Sequence, residues 1–455
     1  MAEVASTLFI PVENQVRELD AKLLLACVAA ERGYPVIIGS RSLIHYGMAS
    51  YPRGVYLAKS MRTLSEKMFS IIRMLGHEIV AWDEEALVRY PDETYYARRL
   101  SPKTIGAVSA LLAWGPDDAR VFRDYPGYGG APIHITGNPR IDVMRADVRG
   151  YYDEHVERLR ARHGKFILIN TNFGWANHYL PEMMAINEAA TPEDRHIPGV
   201  IKLRRALYEH FRALVPKLAA AFPERTILVR PHPTESHVPW LEISNQHKNV
   251  VVSAEDSVVP WLIACGVLVH NGCTTAVEAA VLGTPAVSYQ PVRSAEDATD
   301  LANVLSYCVF EDATLVGQLR EILDGSVKAL DSENSKRHLD LHIGARDGAL
   351  ASDRMINVLD EMGFRTCQPP WPGTRRWLEG WLRTQYRTST KKRNARREGH
   401  RNSTAYHDHR FPEISIDEMR SRVYRFSNQL GRFKGIQVSP ISQHIFRVDR
   451  SDRVP

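Results

Sequence analysis

Short apolar runs alternate with amphipathic stretches along most of the 455 residues, and that alternation restricts the fold more than any other feature. "TLFIPVE" is followed by "VRELDAKLLLACVAAERG", whose apolar residues recur at helical spacing and whose Gly33 is a natural C-terminal stop. "YPVIIG", a helical stretch, "GVYLAK", "MRTLSEKMFSIIRMLG" and "HEIVAWDEE" continue the pattern. Strands returning roughly every 25 residues with helices between them predict a parallel, doubly wound sheet. "PIHITGNPRIDVMR" closes this unit with a short strand and a Gly-Asn-Pro turn. A charged helix, "YYDEHVERLRARHG", then separates a second series, which runs through "KFILINTNF", "RTILVRPHP", "NVVVSAED", "VLVHNG", "CTTAVEAAVLG" and "TPAVSYQP". The expected fold is α/β: two Rossmann-like doubly wound domains, residues 1–150 and 151–350, facing each other across a cleft. Residues 351–455 follow as a helical, basic extension.

Bulk properties exclude several classes. A composition 44% hydrophobic and 24% charged is that of a soluble globular protein. A net charge of +5 does not call for nucleic acid. The five cysteines, Cys27, Cys265, Cys273, Cys308 and Cys367, lack paired spacing, which argues against a disulfide framework or a zinc site and suits a reducing cytoplasm. The opening "MAEVASTLFIPVEN" has no basic segment followed by a long apolar core, and no stretch reaches membrane-spanning length.

Ligands of open α/β sheets sit at the carboxyl ends of strands, and three stretches lie at such ends. In "HNGCTTAVEAAVLGTP", a helix starting just after Asn271 and Gly272 offers unpaired backbone N–H groups and the positive end of its dipole to a phosphate. Cys273, Thr274 and Thr275 add small thiol and hydroxyl groups, and Glu278 lies where a carboxylate could accept from ribose hydroxyls. The same residues would also make a plain N-cap on an alanine-rich packing helix. In "RTILVRPHPTE", Arg230 and His232 follow an apolar strand and are stiffened by Pro231 and Pro233; a guanidinium and an imidazole there suit a phosphate-bearing ligand. In "HEIVAWDEEALVRY", Asp83, Glu84 and Glu85 emerge together. Adjacent carboxylates repel, so they belong on a solvated loop or at a site that uses one as base or nucleophile. Asp83, first after the strand, is the favoured one.

Order and spacing of these stretches give a resemblance. "AWDEEAL", "RPHP" and "NGCTTAVEA" look like the acidic, His-Pro and Ser/Thr motifs of GT-B bacterial sialyltransferases and β-Kdo transferases. Residues 1–350, with "TGNPRID" and "INTNF", are also similar to the bacterial surface carbohydrate biosynthesis proteins. Ala86 stands where the sialyltransferase pattern has glycine, and Cys273 precedes the threonines in place of a serine pair. The resemblance implies a metal- and cofactor-independent glycosyltransferase. Its donor would be a CMP-activated ulosonic acid such as Kdo, its acceptor a surface glycan or glycolipid of the capsule or lipopolysaccharide kind. His232 would contact the CMP phosphate, helped by Arg230, Thr274, Thr275 and the helix start, while Glu278 would hold the ribose. Asp83 or a neighbouring glutamate would be the acceptor base of an inverting reaction or the nucleophile of a retaining one, with Asn138 and Asn172 as further substrate ligands.

Two other enzymes share this layout, the non-hydrolysing UDP-sugar 2-epimerases and a polyol-phosphate transferase using a CDP-linked donor. A scaffold without catalysis is the non-enzymatic alternative. The tail bears on the choice. Residues 371–401 hold ten Lys or Arg against two Glu, and Trp377, Leu378, Trp381 and Leu382 fall on one helical face. That pattern fits either a helix lying on the anionic inner face of the cytoplasmic membrane or one packed back on the first domain.

Overall fold

A computed structural model describes residues 5–88, 90–180, 197–292 and 300–451. Six parallel strands make the body of the first sheet: Thr7–Val12 (β1), Val36–Ser40 (β2), Gly54–Ala58 (β3), Glu78–Ala81 (β4), Ala110–Ala113 (β5) and Ile133–Ile135 (β6), in the order β2-β1-β3-β4-β5-β6. The second sheet holds Ile167–Asn170 (β7), Ile227–Arg230 (β8), Val250–Val252 (β9), Val267–His270 (β10), Ala286–Tyr289 (β11) and Tyr307–Val309 (β12). All are parallel, ordered β12-β11-β10-β7-β8-β9. The two-domain α/β expectation holds.

The tail is part of the first sheet rather than an appendage. The helix Gln15–Glu31 is buried without a break from Glu18 to Ala30. A helix apolar on every side needs cover on every side. The sheet supplies one side; the short helix Pro139–Asp142 and the returning helices Ala351–Glu361 and Ile416–Leu430 cover others. Asp142 fastens the return, its carboxylate accepting from the backbone N–H of Ala351 (2.7 Å) and of Ser352 (2.8 Å) at the start of the first of these helices. Of the two carboxylates inside the buried stretch, Glu18 pairs with Lys22 (2.6 Å), and Asp20 accepts from Tyr151 (3.0 Å), Tyr152 (3.1 Å) and the returning Arg422 (2.7 Å).

Beyond the expected helices the chain adds two strands, Ile436–Ser442 (β13) and Ile445–Arg450 (β14), an antiparallel hairpin whose second strand pairs with β2 and lengthens the sheet to eight. Gly39 permits this: a Cβ there would lie 2.0 Å from the His444 carbonyl oxygen. The aromatic helix, Thr374–Ala395, packs on Glu66–Met74, with Gly380 so close to Met74 and Leu75 that a Cβ would meet the first at 2.9 Å. The four-residue apolar face read from the sequence is therefore divided. Trp377 turns toward the first domain and stacks on Trp371 at 5.9 Å, while Leu378, Trp381 and Leu382 face outward. Among the described residues no helix is long and apolar enough to cross a membrane.

Candidate functional site

The second sheet reverses its strand order at β7: β8 and β9 build out on one side, β10 to β12 on the other. Crevices at such reversals are where open α/β sheets bind ligands. Register sharpens the point, because Asn170 pairs with both Arg230 and His270, so three adjacent strands end level. The three loops that follow them, from Asn170, Arg230 and His270, therefore start side by side.

Buried side chains hold those loops. Glu235 is fully buried; one of its oxygens accepts from Thr171 Oγ1 (2.8 Å), Phe173 N (2.8 Å) and His232 N (3.1 Å), joining the loops after β7 and β8. His270, also fully buried, accepts at Nδ1 from the backbone N–H of Gly272 (3.0 Å) and Cys273 (3.4 Å). Its Nε2 lies 2.8 Å from Ser306 Oγ, whose own proton goes to the Ala302 carbonyl, so Nε2 carries the imidazole hydrogen. Burial lowers the pKa of His270 to about 3 and keeps it neutral. Gly272 and Cys273 thus spend their N–H groups inside the loop. The backbone N–H groups of Thr274 and Thr275, at the start of the helix Thr275–Leu282, have no acceptor among the described residues. Asn170 Nδ2 donates to Thr275 Oγ1 (3.0 Å) beside them.

His232 is held in one tautomer. The backbone N–H of Thr234 donates to its Nδ1 (3.2 Å), and Thr234 Oγ1 lies 2.8 Å from the same atom. A neutral ring bonded in this way carries its proton on Nε2. Burial, with Arg17 nearby, lowers the pKa to about 4, so near neutral pH the residue offers an N–H and no charge. Arg230 gives Nη1 to the Glu255 carbonyl (2.6 Å) and Nη2 to that of Asp256, lying over the Trp261 ring. It brings charge to the cavity while holding the loop after β9.

The acidic trio is split among three cations. Asp83, fully buried, accepts from Tyr95 Oη (2.7 Å) and from Arg99 through Nε (2.8 Å) and Nη2. Glu84 accepts from Trp82 Nε1 (3.0 Å) and lies 3.5 Å from Lys22 Nζ. Neither borders the cavity, so the preference for Asp83 is corrected: its carboxylate is spent inside the first domain. Glu85 borders the cavity and takes both Nη atoms of Arg17, at 2.7 and 3.0 Å. Burial would raise its pKa, but Arg17 outweighs that and holds it at about 2, ionised at neutral pH.

The cavity between the two domains measures about 270 Å³, just below the roughly 300–1,000 Å³ of ligand pockets. Asn172, Arg230, His232, Pro233, Gly272, Cys273, Thr274, Thr275 and Glu278 line it from the second domain as expected, and Glu85 from the first. Asn138 and Asn271 do not. Asn138 caps the short helix Pro139–Asp142 by accepting from Arg140 N (3.0 Å), and the Asn271 side chain is buried without a partner among the described residues. Sequence reading missed Arg17, Arg98, Arg140, Arg204, Asn170 and Trp175. Arg140 reaches across the cleft to Glu278 (2.6 Å), and Arg98 lies over Trp175 (5.9 Å). The strand-end rule applied to β1 and β7 would have found Arg17 and Asn170.

No family model and no curated protein matches the chain. Solved structures do resemble it. A variant of the wall teichoic acid polymerase TagF aligns with a TM-score of 0.50 and 11% identity, over 79% of this chain and 89% of that one. UDP-GlcNAc 2-epimerase from Neisseria meningitidis, bound to UDP-GlcNAc, aligns at 0.48 and 12%, over 78% and 99%. S. aureus MnaA with UDP aligns at 0.48 and 14%, over 80% and 99%. The likeness to the polymerase establishes the GT-B fold. None of the three is a Kdo transferase or a sialyltransferase.

The two loop histidines make stability depend on pH. Their folded pKa values, about 4 for His232 and about 3 for His270, lie below the ordinary 6.5. Above that value neither state binds the proton. Below it the unfolded chain takes a proton that the folded one refuses, so stability is lost as pH falls. Each histidine contributes a slope of up to about 1.4 kcal/mol per pH unit. Two buried carboxyls oppose them: burial raises Glu235 to about 7 and Asp142 to about 6, so each adds stability as pH falls over the same range. The histidine part is therefore read by difference: between about pH 7 and about pH 5.5 the urea midpoint of His270→Asn should fall less than that of the wild type. Equal falls would contradict the neutral assignment of His270.

Proposed function

We propose that the chain is a metal-independent GT-B transferase that takes a sugar from a CMP-activated acidic donor, a ulosonic acid of the Kdo kind, and passes it to a surface glycan or glycolipid. The observation carrying this reading is the second-domain wall: among the described residues, a neutral His232 whose Nε2–H has no acceptor, beside the unpaired N–H groups of Thr274 and Thr275. Uncharged donors fixed before the ligand arrives stabilise a phosphate as negative charge grows on it during departure. Five arginines face three carboxylates, Asp20, Glu85 and Glu278, around the same space. The excess of two positive charges suits a CMP-ulosonate, which carries a phosphodiester and a carboxylate.

Glu85 is the group offered to the reacting carbon. Ionised and held by Arg17, it is a weak base but a ready nucleophile or partner for developing positive charge. It becomes basic only when the ligand draws Arg17 away. Glu278 keeps one oxygen for ribose while the other holds Arg140. A diphosphate-linked donor, as in a CDP-polyol phosphotransferase, carries the same two negative charges, which makes it the second reading.

Saturating CMP should raise the melting temperature, since a ligand that binds only the folded state stabilises it. Glu85→Gln should keep that rise and lower transfer by about 10²–10⁴-fold. Asp83→Asn should lower stability instead. A rise with CDP-glycerol and none with CMP would select the second reading; a rise with UDP alone would contradict both.

The tail carries the location. The outward face of the helix Thr374–Ala395 exposes Leu378 (48%), Trp381 (36%), Leu382 (55%) and Tyr386 (77%), with Arg375, Arg376 and Arg383 beside them. Aromatic and aliphatic residues flanked by arginines suit an interfacial helix on anionic lipid, where a lipid-linked acceptor would be held. The protein should float with anionic liposomes at low salt, and Trp381→Ala/Leu382→Ala should abolish it. A wild-type protein that stays unbound at low salt would refute the attachment.

A further inference from the structure

A second cavity, about 640 Å³, opens at the carboxyl ends of β1 and β2, between the first domain and the returned tail. Its wall carries Arg41, Lys392, Arg401 and Arg410 against two carboxylates, Glu13 and Asp408. Glu13 is already shared: it takes Arg41 (2.8 Å), Arg410 (3.0 Å) and Lys59 (3.1 Å). Lys392 and Arg401 have no carboxylate within ion-pair reach among the described residues. Buried nitrogens here lack partners too: Arg410 Nε, Arg387 Nε and His444 Nδ1 have none among the described residues. Burial, then the charges of Arg387, Arg41 and Arg401, lower the neighbouring Lys391 to about 8, as an uncompensated cationic cluster would.

His407, Asp408 and His444 bring three ligand atoms within 4.8 Å of one another at this cavity, a spacing a metal ion could use. Four cations on the same wall repel a metal ion and attract an anion.

We propose that this cavity is an anion site for a phosphate or diphosphate ester, gripped by Arg41, Lys392, Arg401 and Arg410. Arginine and lysine together provide forked and point donors for such a group. The cavity's place suggests what carries the ester. The helix Thr404–Arg410 forms one wall, and from it His409 reaches the Pro233 carbonyl (2.7 Å) and stacks on Tyr179 (4.1 Å). Pro233 adjoins His232, so one helix separates the two cavities. The ester is therefore assigned to the acceptor, as the phosphate end of a soluble glycan or the diphosphate of a lipid-linked one. That last assignment rests on the transferase reading; the anion site does not.

Calorimetric titration with inorganic pyrophosphate tests the site. Lys392 and Arg401 are exposed, so Lys392→Ala/Arg401→Ala should melt as wild type does, with Lys392→Gln/Arg401→Gln as the second variant if it does not. Losing two charge-assisted contacts should weaken pyrophosphate at least about ten-fold, while His232→Ala, which removes a side-chain donor of the nucleotide cavity, should bind it unchanged. Flotation with neutral phosphatidylcholine vesicles, with and without a polyprenyl diphosphate, separates the sources. Flotation that needs both the diphosphate and the two basic residues assigns the lipid-linked ester; pyrophosphate binding without it assigns the soluble one. Unchanged pyrophosphate affinity in both basic-residue variants overturns the site, as does a loss confined to His232→Ala, which would place the ion in the nucleotide cavity. The CMP melting shift is read separately and should survive Lys392→Ala/Arg401→Ala, so failure of either reading leaves the other visible.

Discussion

Three parallel strands ending level, Arg230 beside Asn170 beside His270, are the constraint on which the rest of the second domain depends. Parallel pairing fixes which residue leaves the sheet first. A slip of one residue would put His270 outside its buried position and turn the loop donors away. The loops starting at this edge are then locked by groups with no solvent access: Glu235 across two of them, His270 within the third. The loop after β10 consumes its own N–H groups at Gly272 and Cys273, while those at Thr274 and Thr275 have no acceptor among the described residues.

The first domain meets this edge with opposed charges. Asp83, Glu84 and Glu85 follow one another in the chain, yet they repel little because Arg99, Lys22 and Arg17 each take one. Two of those pairs are interior structure; the third is the cleft wall. Arg140 closes the gap by bonding Glu278 on the other domain. Apposition of the domains thus rests in part on Arg140 and Glu278, and both residues border the cavity.

Much of the architecture was legible because period and punctuation agree. Apolar runs of four or five residues between helical stretches mark both sheets, and the strand-end rule singles out His232, Thr274, Thr275 and Glu278, which line one cavity. Asp83 misled because sequence position after a strand says nothing about partners; Tyr95 and Arg99, more than ten residues later, decide that its carboxylate is buried. The arginines at 98, 140 and 204 were invisible for the same reason, each sitting in an ordinary helical stretch or turn, whereas Arg17 lies just past the end of β1, where the strand-end rule points. The hairpin went unread because "GIQVSPISQHIFRVDR" turns at Gln443 and His444 without a glycine. His444 accepts a positive φ of 60° there. The tail's return to the first domain had one sequence sign, the run "LLLACVAA", apolar on every face and so in need of cover.

The most direct test is an NMR titration of threonine- and histidine-labelled protein with CMP. The account predicts that the amides of Thr274 and Thr275 and the Nε2–H of His232 shift together as CMP saturates the protein. The buried ring of His270, committed to Gly272, Cys273 and Ser306, should stay as it is. Saturation by CMP that leaves Thr274, Thr275 and His232 unmoved would contradict the phosphate site at its centre.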